Sequence, residues 1–231
     1  MRHASKLLTL LVLFPMVMKA QTNIKFGVRA GLNYINNVYV KDNWERLDDE
    51  REFRIGYHFG VLSKLNLTAK FSTSLEILYS NQGYYFPRRV VGFNGSSITR
   101  ESSKINYNYL IIPLFIEYHP ISKLTIQAGP QIGYLLSAKN KLESETIDLM
   151  EWWGKDGLLD SLINRFDFGL GLGCEFRVTE KTLIGLRYFH GLSSLTNNNR
   201  TGFDDQGNPA KLPSLKEQNR NIQLSFAYLI W

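Results

Sequence analysis

The sequence predicts an all-β fold: an eight-stranded antiparallel up-and-down transmembrane β-barrel. Three observations predict it. Eight segments alternate apolar and polar residues with period two. Most exceed the five or six residues of an ordinary strand and reach the 9–11 or so that a tilted strand needs to cross a bilayer. The connections between them alternate short and long, as in barrels with short turns at one end and long loops at the other.

Ahead of the first strand, residues 1–20 read as a signal peptide. "MRHASK" is basic, "LLTLLVLFPMVM" is apolar but too short to span a bilayer, and "KA" precedes Gln21. The barrel domain is then 21–231. Removing Arg2, Lys6 and Lys19 lowers the formal charge from +6 to +3, so the basic composition gives no case for nucleic acid. No cysteine lies near the cleavage site, which excludes a lipid-anchored mature N-terminus. The single cysteine, Cys174, has no internal partner.

The first strand, Ile24–Tyr34, sets Phe26, Val28, Ala30, Leu32 and Tyr34 on one face and Gly27, Arg29, Gly31 and Asn33 on the other. In Phe53–Leu62, Phe53, Ile55, Tyr57, Phe59 and Val61 oppose Arg54, Gly56, His58 and Gly60. Phe71–Gln82 and Ile105–Tyr118 each carry a glutamate, Glu76 and Glu117, on the parity opposite their apolar residues. Leu124–Leu136 offers Gln127, Gly129, Gln131 and Gly133 there. "RFDFGLGLGCEF", Arg165–Phe176, alternates Phe166, Phe168, Leu170, Leu172, Cys174 and Phe176 with Asp167, Gly169, Gly171, Gly173 and Glu175. Leu183–Gly191 adds Arg187, and Asn221–Trp231 adds Gln223. No Asp, Glu, Lys or Arg occurs on the apolar parity of any of the eight.

An eight-stranded barrel encloses a space only just wide enough for side chains. Glycines on the polar parity are then the room left for arginine and glutamate. A soluble barrel would exchange the faces, scatter those glycines over a solvent surface and overfill its interior with aromatics. The apolar face therefore points outward, into lipid. Phe71, Tyr118 and Phe176 mark one aromatic rim, and Tyr34, Tyr79 and Tyr134 the other. The short connections are Ser63–Lys70, His119–Lys123 and Arg177–Thr182. Long ones at Asn36–Glu52, Gly83–Lys104, Ser137–Asn164 and Leu192–Arg220 place both termini at the short-turn, periplasmic side.

Buried charges are costly unless paired. Arg29, Arg54 and Arg187 are expected to face Glu76, Glu117, Asp167 and Glu175 as a charge ladder that plugs the lumen. In the loops, Trp44, Trp152 and Trp153 are candidate contacts for a partner. "SETIDLMEWWGKDGLLDSLINRF" spaces its apolar residues for a short external helix. Catalysis has few candidates. "HGLS" sets His190 and Ser193 three apart, whereas a histidine–serine hydrolase acting on lipid A uses spacing two. His119, in "YHPIS", reads as a turn residue. "RLDDERE" and "FDDQGN" read as solvated loop tips, so no metal, no cofactor and no catalytic residue is assigned.

"FGVRAGLNY", "LEILYSNQGYYF", "YLIIPLFIEYHP", "IQAGPQIGYLL", "FDFGLGLGCEF" and "LRYFHGLSSL" resemble, in order, the strands of PorT-like outer-membrane β-barrel proteins. The resemblance covers nearly all of the mature chain. It implies a barrel in a Gram-negative outer membrane and, for most members, no established activity; the family's named member assists a secretion system. Ile111 stands where "YLEIPL" of that family carries glutamate. The expected role is a monomeric, non-enzymatic outer-membrane protein, structural or a scaffold for surface or secretion-system partners. A small-solute transporter and a lipid A hydrolase are the alternatives.

Overall fold

A computed structural model describes residues 24–40, 52–93, 96–148, 164–195, 201–203, 209–211 and 216–230. The proposed signal peptide, Trp44, Trp152 and Trp153 lie outside the described residues. Eight long strands form the wall: β1 (Ile24–Val40), β2 (Arg54–Asn66), β3 (Phe71–Phe86), β4 (Ser103–Ile121), β5 (Leu124–Leu142), β6 (Phe166–Arg177), β7 (Thr182–Gly191) and β8 (Lys216–Leu229). Each pairs antiparallel with its neighbours in the chain. The first and last strands also pair, Gly27 opposite Leu229 through Val40 opposite Lys216. The eight strands thus close into a ring. Among the described residues no helix is long and apolar enough to cross a membrane.

Alternation decides the faces. Ile55, Leu172 and Ile116 keep 67 %, 59 % and 66 % of their surface exposed, whereas Arg29 and Glu117, on the opposite parity, keep 1 % and 0 %. Aromatic pairs sit at both rims of the outer surface. Phe71 packs on Tyr118 (5.3 Å) at the short-turn end. At the long-loop end Tyr34 stacks on Phe53 (4.6 Å) and Tyr134 meets Phe166 (5.2 Å).

The strands run further toward the long loops than the apolar alternation implies. Pairing continues from Ile35 to Val40 along β8, and from Gly83 to Phe86 along β4, because ladder hydrogen bonds persist after the hydrocarbon belt ends. Gly83, with φ +131°, allows this on β3: a Cβ there would come within 2.0 Å of the Ile105 carbonyl. A bulge sets Leu136 between the pairs Tyr109–Leu135 and Asn108–Ser137, so Leu135 and Ala138 both turn inward. Thr146–Asp148, within the expected external helix, is instead a short strand paired with Lys139–Lys141; residues 149–163 lie outside the described residues. Short hairpin strands also occur in two long loops, at Arg89–Phe93 with Ser96–Arg100 and at Thr201–Phe203 with Pro209–Lys211.

Candidate functional site in the lumen

Six inward side chains from six strands form one network at the centre and lower half of the barrel. Arg187 (β7) grips Glu76 (β3) with both terminal nitrogens, at 2.8 and 2.6 Å, and its Nη2 also reaches Glu175 (β6) and Gln127 (β5), each at 3.1 Å. Arg29 (β1) meets the same two acids, Nε at 3.1 Å from Glu76 and Nη2 at 2.5 Å from Glu175, and donates to the Ser225 hydroxyl at 2.7 Å. Lys64 (β2) bridges Glu175 to Glu117 (β4), the latter at 2.9 Å. Three cations and three carboxylates balance. Their side chains are 0–9 % exposed, so each charge depends on the others rather than on water.

The network continues to the short-turn mouth. Ser72 donates to Glu117 (2.7 Å) and accepts from His119 Nε2 (2.8 Å), while His119 Nδ1 accepts from the Thr125 hydroxyl (3.0 Å). His119 is therefore no turn residue. It lies on β4 and shares the inward parity of Glu117.

Beside the polar groups the lumen also holds two apolar clusters, which the polar reading of the inner face left out. Leu62, Leu183, Ala227 and Leu229 cluster toward the short turns. Toward the long loops lie Leu78, Tyr84, Ile105, Tyr107, Tyr109, Ile111, Leu135, Ala138 and Leu195. The Phe115 ring is buried too, with the Arg187 guanidinium 4.7 Å from its centroid. The alternate glycines of β6 explain how such bulk fits. A Cβ on Gly173 would meet Arg187 Cγ at 2.7 Å, one on Gly171 the Phe115 ring at 2.6 Å, and one on Gly169 the Phe189 ring at 2.6 Å. The room left by glycine is filled by two aromatics as well as an arginine.

Two of the expected ladder members stand apart. Arg54 meets no carboxylate among the described residues. It donates to the Gln82 and Ile105 carbonyls (2.6 and 3.1 Å) and to Asn81 Oδ1 (2.5 Å), because the strand ends around it offer backbone oxygens. Asp167 accepts from Ser193 (2.7 Å) and Asn219 (3.2 Å) rather than from an arginine. Between these levels His58 Nδ1 donates to Asn33 Oδ1 (2.7 Å), and Asn33 Nδ2 donates to Ser80 (3.0 Å). Lys64 went unrecognised in the sequence because alternation fades after Leu62. Its parity with Arg54 and His58 was the available signal.

The hydrolase reading gains no geometry. Ser193 donates to Asp167, and His190 Nδ1 faces the Tyr188 hydroxyl at 3.3 Å. Among the described residues no group of three His, Cys, Asp or Glu is arranged to hold a metal. At the long-loop rim the Ser102 hydroxyl donates to Glu143 (2.9 Å) and holds that carboxyl below its ordinary value, with Arg88 adding to the effect.

A family model described as an outer membrane protein beta-barrel domain matches residues 19–197. No curated protein matches. Solved structures similar to this chain include a major outer membrane protein from Thermus thermophilus, at 14 % identity, TM-score 0.46, covering 90 % of this chain and 99 % of that one. Neisserial surface protein A is 9 % identical over 88 % of this chain and 96 % of its own, with TM-score 0.43. Ail, the attachment invasion locus protein of Yersinia pestis, is 10 % identical over 90 % and 100 %, with TM-score 0.38.

Proposed function

We propose, from the premise that this chain belongs to the outer membrane protein beta-barrel domain family, that it is a plugged, non-enzymatic barrel whose working surface is its long loops. In this reading residues 1–20 direct export, both termini face the periplasm, and the loops serve as a scaffold for surface or secretion-system partners. The observation that carries it is the filled lumen. A neutral six-charge network fills the interior alongside two apolar clusters, with Arg29, Glu76, Glu117 and Glu175 at most 1 % exposed. An ion crossing it would have to break buried charge pairs and displace side chains already packed against one another.

The purified full chain in planar bilayers is expected to show no stable conductance steps. Regular porin-like steps would overturn the plug and favour a small-solute pore.

A further inference from the structure

The rim that carries the short turns is basic. Lys70, Lys123 and Lys181 are exposed, one in each turn, with Lys25 and Arg177 half-buried on the adjoining strands; Glu180 is the one acidic residue of the three turns. Among the described residues Lys70, Lys123 and Lys181 join no ion pair. The opposite rim mixes signs, with Glu101, Glu143 and Glu145 among its cations.

Beside the basic rim the lipid-facing wall is grooved. A cleft of about 350 Å³ lies between Phe26, Val28, Val61, Leu75, Ile77 and Ile230. A second, of about 210 Å³, shares Ser63 and Leu75 with it and runs on toward Leu114. The sequence makes the hollow. Ser63 and Thr73 occupy outward positions that hold larger apolar residues elsewhere on these strands. Their hydroxyls turn back onto the wall, donating to the Leu75 and Phe115 carbonyls at 3.3 and 2.9 Å. The groove therefore offers an occupant little but apolar contact.

We propose that rim and groove together hold one anionic phospholipid of the periplasmic leaflet. Its phosphate lies against the basic rim at Lys70, in the turn that joins two cleft-lining strands, while Lys123 and Lys181 in the other two turns add to the positive potential; one acyl chain lies along the cleft over Ser63 and Leu75. Position and charge identify the occupant. The cleft opens onto the face that meets hydrocarbon, the unpaired cations lie where headgroups begin, and each basic group near such a surface strengthens anionic binding by about fivefold.

Native mass spectrometry of the full chain, with dioleoyl phosphatidylglycerol and dioleoyl phosphatidylcholine in equal amounts, tests it. The anionic lipid is expected to be retained at least about fivefold more strongly. Lys70→Glu with Lys123→Glu and Lys181→Glu should bring the ratio near one. Ser63→Trp, which fills the cleft, should lower retention of both lipids and leave their ratio unchanged. Equal retention by the unaltered chain, a preference that survives charge reversal, or indifference to Ser63→Trp overturns the proposal. Heat-dependent gel migration verifies that every variant is a closed barrel.

Discussion

Replacing Arg187 by alanine is expected to destabilise the folded barrel by about 3–5 kcal/mol, the cost of removing one partner from a buried charge pair. Arg187 supplies both hydrogen bonds to Glu76 and one each to Glu175 and Gln127, and it covers the Phe115 ring. Its loss leaves Glu76, Glu117 and Glu175 against only Arg29 and Lys64. One negative charge is then uncompensated where water has little access. Urea unfolding in lipid vesicles reads the loss. The double change Arg187→Met with Glu76→Gln restores neutrality and is expected to be less destabilised than the alanine variant, since a buried pair can be replaced by neutral groups more cheaply than it can be halved. A near-neutral Arg187→Ala would mean that the lumen is open enough to solvate the orphaned acid.

The second large effect is expected on the other face of the neighbouring strand. Leu172 (β6) is 59 % exposed on the outward parity, between Ala128 and Tyr188. Leu172→Arg puts a guanidinium into hydrocarbon, at about 2–4 kcal/mol for a midplane position and less near an interface. The same substitution in a water-facing sheet would cost little. Vesicle unfolding therefore separates the two environments, and a neutral Leu172→Arg would show that this surface does not meet lipid.

How much of this was legible beforehand differs between the two faces. Lipid forbids charge on every outward position, so Leu32, Ile77, Leu114, Leu172 and Phe226 declare their face by composition alone. The inner face has no such uniform rule. Its residues must fit one another, and a sequence does not say which level of a ring each one reaches. Leu78, Tyr109, Ile111 and Phe115 share parity with Glu76 and Glu117 yet bring apolar bulk into the lumen. Arg54 found carbonyls instead of carboxylates because it lies at the strand end, several residues from the acids its parity suggested. Lys64, a full member of the network, sits past the last clear alternation. The glycines of β6 announced that space was needed but not that Phe115 and Phe189 would fill it.

In this barrel apolar side chains meet hydrocarbon while the charges close on themselves inside. The single cysteine offers a direct measurement, because Cys174 is exposed on the outward parity of β6 and is the only thiol. A nitroxide attached there, in the barrel reconstituted in vesicles, is read by power-saturation electron paramagnetic resonance with oxygen and with a water-soluble nickel chelate. Oxygen, which partitions into hydrocarbon, is predicted to relax the label more strongly than the chelate. The reverse order would place that face in water and turn the barrel's two faces around.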